Sequence, residues 1–184
     1  EEIVAAGEAL AILDEDPANA EVVFVHQLLQ EYFAARTLAA RPDPDLLRVE
    51  WRADRQSPRI DELIDALPAA ESLPSLPRTG WEETSLLAAA MTCDAAGFIG
   101  DLMHTNLALA GRIAVQPEVG ARLPQTVVER LARALVGRSR DREADLRDRI
   151  QCGLALGDLG DPRFRTASGP HGAYLQPPMV LIPQ

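Results

Sequence analysis

The sequence contains no lysine; its 18 basic residues are all arginine. A Walker A phosphate loop and a Schiff-base nucleophile each need a lysine amine, so neither can be built from these residues. The two cysteines, Cys93 and Cys152, are too few for a disulfide framework or a zinc site and read as small, reduced core residues. Aromatic residues fill only 4% of 184 positions, which disfavours a β-sandwich. No uninterrupted apolar run approaches the roughly 20 residues of a membrane helix. No charged start followed by an apolar run marks a signal peptide.

Alanine (29) and leucine (25) dominate instead, the composition of closely packed helices. The 28 acidic residues set a net charge of −10, which argues against nucleic acid or an anionic membrane as the main partner. The chain opens at Glu1 inside a helical pattern and closes on an apolar, strand-like run, Pro177–Gln184, whose pairing partner should follow. It therefore reads as an excerpt of a larger, cytoplasmic protein.

The patterning predicts a helix over Glu1–Leu13, ended by Asp14-Glu15-Asp16-Pro17. The β-branched run Glu21–Val25 predicts a short strand of a small wing. Residues His26–Ala40 turn helical, with Leu28, Leu29, Tyr32, Phe33, Ala35 and Ala39 at three-and-four spacing. Beyond an irregular stretch around Trp51, a helix near Pro58–Leu67 carries the stripe Ile60, Leu63, Ile64 and Leu67, and the proline-rich Pro68–Gly80 reads as a loop.

Helices then follow in succession. Trp81–Thr92 is apolar along Trp81, Leu86, Leu87, Ala90 and Met91, and Asp94 is placed to cap the helix after it. Asn106–Val115 and Pro124–Val136 come next. Asp141–Leu159 is expected to be the longest, with Leu146, Ile150, Leu154 and Leu159 inward and Glu143/Arg147 and Asp145/Arg149 paired on the outer face. Beyond Gly160 the chain reads as a linker as far as Tyr174.

The most specific string is Phe24-Val25-His26-Gln27-Leu28-Leu29-Gln30-Glu31-Tyr32-Phe33-Ala34-Ala35. By period alone it is an amphipathic helix with a solvated polar start. It also resembles, at eight positions, the F-x-H-x-x-x-Q-E-[YF]-F-A-A signature of NACHT-type STAND NTPases, which lies at the end of their winged-helix domain. The resemblance implies a regulated ATP/ADP switch that opens and oligomerises when triggered. It also implies that His26 reaches the β-phosphate of bound ADP. An imidazole N–H can donate to phosphate, and protonation strengthens that bond; local capping or packing is the other reading of His26. Gln30 and Glu31 are expected to bond nearby backbone or adjacent helices. The family's phosphate loop, its lysine and its magnesium-binding acid belong to a core that would precede Glu1. These residues by themselves are therefore expected neither to hydrolyse ATP nor to hold nucleotide.

Two further strings resemble parts of the same proteins. Trp81-Glu82-Glu83, Leu86–Ala90 and Asn106–Arg112 look like the helical region that follows the winged helix in bacterial NACHT proteins. Cys152–Arg163 resembles the ending of HEAT-like repeats; Gly153, Gly157 and Gly160 in it are expected to permit close helix contact rather than to cradle phosphate, since no strand precedes them. Pro178–Pro183 resembles the opening strand of a formylglycine-generating-enzyme-like (FGE-sulfatase) domain. His104 reads as a core or interface histidine and His171 as a solvent-exposed one. The acidic pairs Asp14/Asp16, Asp43/Asp45 and Glu82/Glu83 read as solvated surface.

Together these readings give a mainly α chain. Residues 1–41 would be the end of a winged-helix domain, 42–80 an irregular and helical connector, 81–160 a HEAT-like α-solenoid, and 161–184 a linker with the first strand of an FGE-sulfatase-like domain. The expected role is a non-catalytic scaffold coupling nucleotide state to a C-terminal sensor or effector module. Its partners would be its own nucleotide-binding core and C-terminal domain, with a homo-oligomer on activation, and neither nucleic acid nor membrane. No catalytic residue and no metal ligand is assigned. A free-standing helical-repeat adaptor and the front of an FGE-like modifying enzyme are the alternatives.

Overall fold

The computed structural model describes residues 2–16, 18–19, 21–68 and 72–179. It is mainly helical, with nine α-helices and two small antiparallel hairpins among the described residues.

The chain begins with α1 (Glu2–Ala9), shorter than the pattern predicts. Leu13–Asp16 is not the tail of that helix but strand β1, paired with β2 (Glu21–Phe24) from Leu13↔Phe24 to Asp16↔Glu21. The β-branched run of β2 needs backbone partners, and the adjacent acidic segment supplies them. Helix α2 (Gln27–Ala40) starts where the sequence places it; its second half buries Ala35 and Leu38. A 3-10 turn at Pro44–Leu47 buries Leu47, and α3 (Ile60–Ala66) buries no residue.

The body comprises α4 (Glu82–Met91), α5 (Ala95–Thr105), α6 (Leu107–Ala114), the single turn α7 (Pro117–Gly120), α8 (Gln125–Arg140) and α9 (Leu146–Leu159). Asp94 caps α5, its carboxylate accepting from Gly97 N at 2.8 Å, and Asn106 caps α6 through Leu109 N at 3.1 Å. One core cluster runs from Ala35 and Leu38 of α2 through Ala88 and Ala89, Ile99, Ile113, Leu131 and Leu135 to Leu156. On α4 the buried face is Ser85, Ala88 and Ala89, whereas Ala90 and Met91 face water and Trp81, Leu86 and Leu87 pack at the core's edge. Small side chains there let α2 lie close across α4.

Helix α9 departs most from expectation. It starts at Leu146, not Asp141, because Asp145 caps it through Arg147 N at 2.9 Å, while Asp145 N donates to Trp51 O at 2.8 Å. At 16 residues α8 is the longer helix, against 14 for α9. Leu146, Ile150 and Leu154 face outward; Arg147, Asp148, Cys152, Ala155 and Leu156 face inward, and Leu159 packs at the core's edge. The expected i,i+4 pairs do not form. Glu143 pairs with Arg52 at 3.0 Å, Asp145 with Arg147 at 2.9 Å, and Arg149 Nε donates to Ser139 O at 3.2 Å.

The glycines of α9 differ from expectation too. A Cβ added at Gly153, Gly157 or Gly160 would meet nothing within 4 Å. Close helix contact belongs to Gly111 of α6, where a Cβ would stand 2.7 Å from Ala155 Cβ and 3.1 Å from Leu135 Cδ1. After Gly160, the expected linker is a hairpin, β3 (Arg165–Gly169) with β4 (Gly172–Gln176). Pro177–Met179 is irregular, and the remainder of the expected C-terminal strand lies outside the described residues. His104 is exposed rather than buried between helices; Cys93 is exposed and Cys152 buried.

Candidate functional site

His26 stands between β2 and α2. Val25 N donates to Ile12 O at 3.0 Å, continuing the hairpin's pairing to the residue before it. His26 itself is extended (φ −129°, ψ 131°), and its carbonyl accepts the first helical N–H bonds, from Leu29 at 3.0 Å and Gln30 at 3.3 Å. Phe24 stacks on Phe33 with ring centroids 5.9 Å apart, and Tyr32 meets Phe33 edge-on at 5.4 Å. The Phe24–Phe33 contact holds the strand end against the first turns of the helix. The His26 side chain makes no capping bond and is exposed.

Its neighbours Val23, Val25 and Leu28 are exposed as well. Glu31 accepts from Gln27 Nε2 at 2.8 Å, a bond within the helix's own first turns. Among the described residues the imidazole has no hydrogen-bond partner, and apolar side chains stand beside it. Such a group can donate to an anionic acceptor brought from outside.

Several carboxylates of the helical body are held by hydrogen bonds. The Glu82 carboxylate accepts N–H bonds from Thr79 at 2.8 Å and Gly80 at 3.0 Å. Burial works against its ionisation, but these bonds outweigh burial and hold its pKa below the usual glutamate value. Burial also opposes the charge on Asp145; the Arg147 fork, at 2.9 and 3.0 Å, overrides it and keeps Asp145 below the carboxylate range. For Asp148 burial prevails, raising its pKa although Arg138 donates to it at 2.9 Å. Burial, with the Asp148 charge behind it, pushes the Cys152 thiol up to about 12, so it is no nucleophile at neutral pH.

These buried charges clamp the irregular segment around Trp51. The Arg138 guanidinium lies 3.7 Å from the Trp51 ring centroid, Ala53 N donates to Glu143 O at 2.8 Å, and Arg147 Nη2 reaches Pro58 O at 3.4 Å. Sequence reasoning missed this clamp because its partners lie far apart, 91 positions in the case of Arg52 and Glu143. It missed a groove too, of about 310 Å³, between the proline-rich loop (Leu76, Pro77, Arg78), α6 (Arg112) and α9 (Leu154, Asp158). Only the loop's prolines hinted at it, by placing extended backbone there.

Among the described residues no cluster of three or more His, Cys, Asp or Glu could hold a metal ion, and no helix is long and apolar enough to cross a membrane. No family model, curated protein or solved structure matches the chain.

Proposed function

We propose that this chain is a non-catalytic scaffold and regulatory segment of a cytoplasmic NACHT-type STAND ATPase. Residues 1–41 are the end of its winged-helix domain and 42–80 a connector. Residues 81–160 form a HEAT-like helical domain, and 161–184 lead into an FGE-sulfatase-like module. In this reading His26 donates to the β-phosphate of ADP held by the nucleotide-binding core and so favours the closed state. Activation releases that bond and allows the protein to oligomerise. The catalytic parts, and the ATP or ADP itself, belong to the core.

The observation that carries the reading is the exposed imidazole of His26, without a hydrogen bond among the described residues, on a junction where Phe24 stacks on Phe33. A histidine serving local packing would instead be buried or would cap α2. The apolar rim of Val23, Val25 and Leu28 suits a docking domain beside it. The second half of α2 is anchored in the helical core by Ala35 and Leu38, so force at His26 passes into the body through one helix.

The test is His26→Leu in the full-length protein. It is expected to speed ADP release about tenfold, the loss of one charge-assisted hydrogen bond. An unchanged ADP off-rate refutes the phosphate role. A G-x-x-x-x-G-K-[ST] motif encoded upstream of Glu1 is expected; its absence there refutes the ATPase assignment. A free-standing adaptor is favoured by one observation, the groove lined by Leu76, Arg78, Arg112 and Leu154, which suits an extended peptide.

A further inference from the structure

The β3–β4 hairpin exposes side chains on both faces. Every residue of β4 is exposed, and Leu175 keeps 65% of its surface. Two five-residue strands with no third strand beside them, and no helix packed along them among the described residues, are marginal in water. The register puts Tyr174 and Ala167 on one face and Leu175, Thr166, Ala173 and Ser168 on the other. Tyr174 lies close over its own Gly169, whose added Cβ would be 3.3 Å from the ring. The Leu175 face has no such cover.

A second uncovered apolar surface lies on the helix leading into the hairpin. Leu146, Ile150 and Leu154 repeat every fourth residue on the outer side of α9 and are 38%, 44% and 61% exposed. Gly153 and Gly157 share that side with open space above them, beside Ile150 and Leu154.

We propose that the hairpin closes back onto α9 as a lid, with Leu175 seated over Gly153 and Gly157. The chain has the reach to do so. Leu154 lies six residues before Gly160, about 9 Å of helix. Thr166, the cross-strand partner of Leu175, lies six residues after it, at most about 20 Å of backbone and less across the turn at Asp161–Phe164. Gly160 is the pivot: its φ of +99° is open to glycine without strain, and nothing crowds it within 4 Å. The turn beyond is firm, since Asp161 accepts from Arg163 N at 2.9 Å and Arg163 Nε at 2.8 Å, and Phe164 N donates to Asp161 O at 3.1 Å. The hairpin therefore swings as one body. A tether this short holds it at an effective concentration of about millimolar or more, which favours it over a second copy or a foreign helix. The lid does not depend on the ATPase reading; it stands or falls on α9 alone.

Crosslinking tests it. In the complete chain with Cys93→Ser, the pair Gly157→Cys and Leu175→Cys is expected to form a disulfide within one chain under mild oxidation. The control pair Glu129→Cys and Leu175→Cys, on the far side of α8, should not. A disulfide found only between chains, or no more of it than in the control, overturns the lid. Leu154→Asp, at a position that is 61% exposed, should speed amide exchange in the hairpin about tenfold by exposing its closed face. Exchange at the wild-type rate also overturns it.

Discussion

Replacing Gly111 by alanine is expected to destabilise the protein, whereas the same change at Gly137 stabilises it. Both glycines lie within helices, α6 and α8, where alanine is favoured by about 1 kcal/mol on backbone grounds. At Gly137 an added Cβ meets nothing within 4 Å, so most of that gain, about 0.5–1 kcal/mol, is retained. At Gly111 the new methyl would stand 2.7 Å from Ala155 Cβ and 3.1 Å from Leu135 Cδ1, closer than carbons approach without displacement. Both neighbours are buried in the shared core of α8 and α9, so neither can simply turn into solvent. Overpacking of this kind costs about 1–3 kcal/mol, which exceeds the helical gain and leaves a net loss of about 1 kcal/mol.

Urea unfolding followed by far-UV circular dichroism reads both variants on one scale, provided the slope with denaturant is unchanged. Ala155→Gly should cost less in the Gly111→Ala background than in the wild type, because it removes the atom 2.7 Å away. A double-mutant cycle isolates that coupling. Equal stabilisation by Gly111→Ala and Gly137→Ala would refute the close packing of α6 on α9.

Other expectations concern titration and thiol chemistry. Glu82 has a folded pKa held below its unfolded value by the Thr79 and Gly80 amides, so its stabilisation is present above the ordinary glutamate range and lost as pH falls through the folded value. Glu82→Gln is therefore expected to weaken the fold by about 1–2 kcal/mol at neutral pH and to flatten the acid limb of stability against pH, measured by urea unfolding across that range. A variant whose acid limb matches wild type would show that the Glu82 bonds contribute nothing. Cys93, exposed, should react with a thiol reagent in the native protein, whereas Cys152 should react only after unfolding. Titration of two fast native thiols would contradict the burial of Cys152.

Several elements were legible in the sequence for local reasons. Asp94 sits where a short polar side chain can take up an orphan helical N–H, and it does. The start of α2 after His26 followed from a β-branched run giving way to a three-and-four pattern. The β1 strand was missed because Leu13–Asp16 has no strand pattern of its own; it is extended because β2 pairs with it. For the candidate site, His26 and the junction that carries it were legible. The uncovered surface around it, the groove and the Trp51 clamp were not, since each is assembled from segments distant in sequence.

By itself the amino-acid sequence determined that the chain is mainly helical, that it can build neither a lysine-bearing phosphate loop nor a disulfide framework, and where proline ends α2 and Asp94 begins α5. Tertiary structure alone decided which side of α9 lost water. On α9 the leucine–isoleucine stripe ended outside, while Arg147 and Asp148 turned in, because Asp145, Arg138 and the backbone near Pro58 satisfy their charges. Periodicity reports how apolar residues are spaced along a helix. Burial depends on what other segments bring against it, and a buried charge is tolerated only where partners from elsewhere in the chain complete its hydrogen bonds.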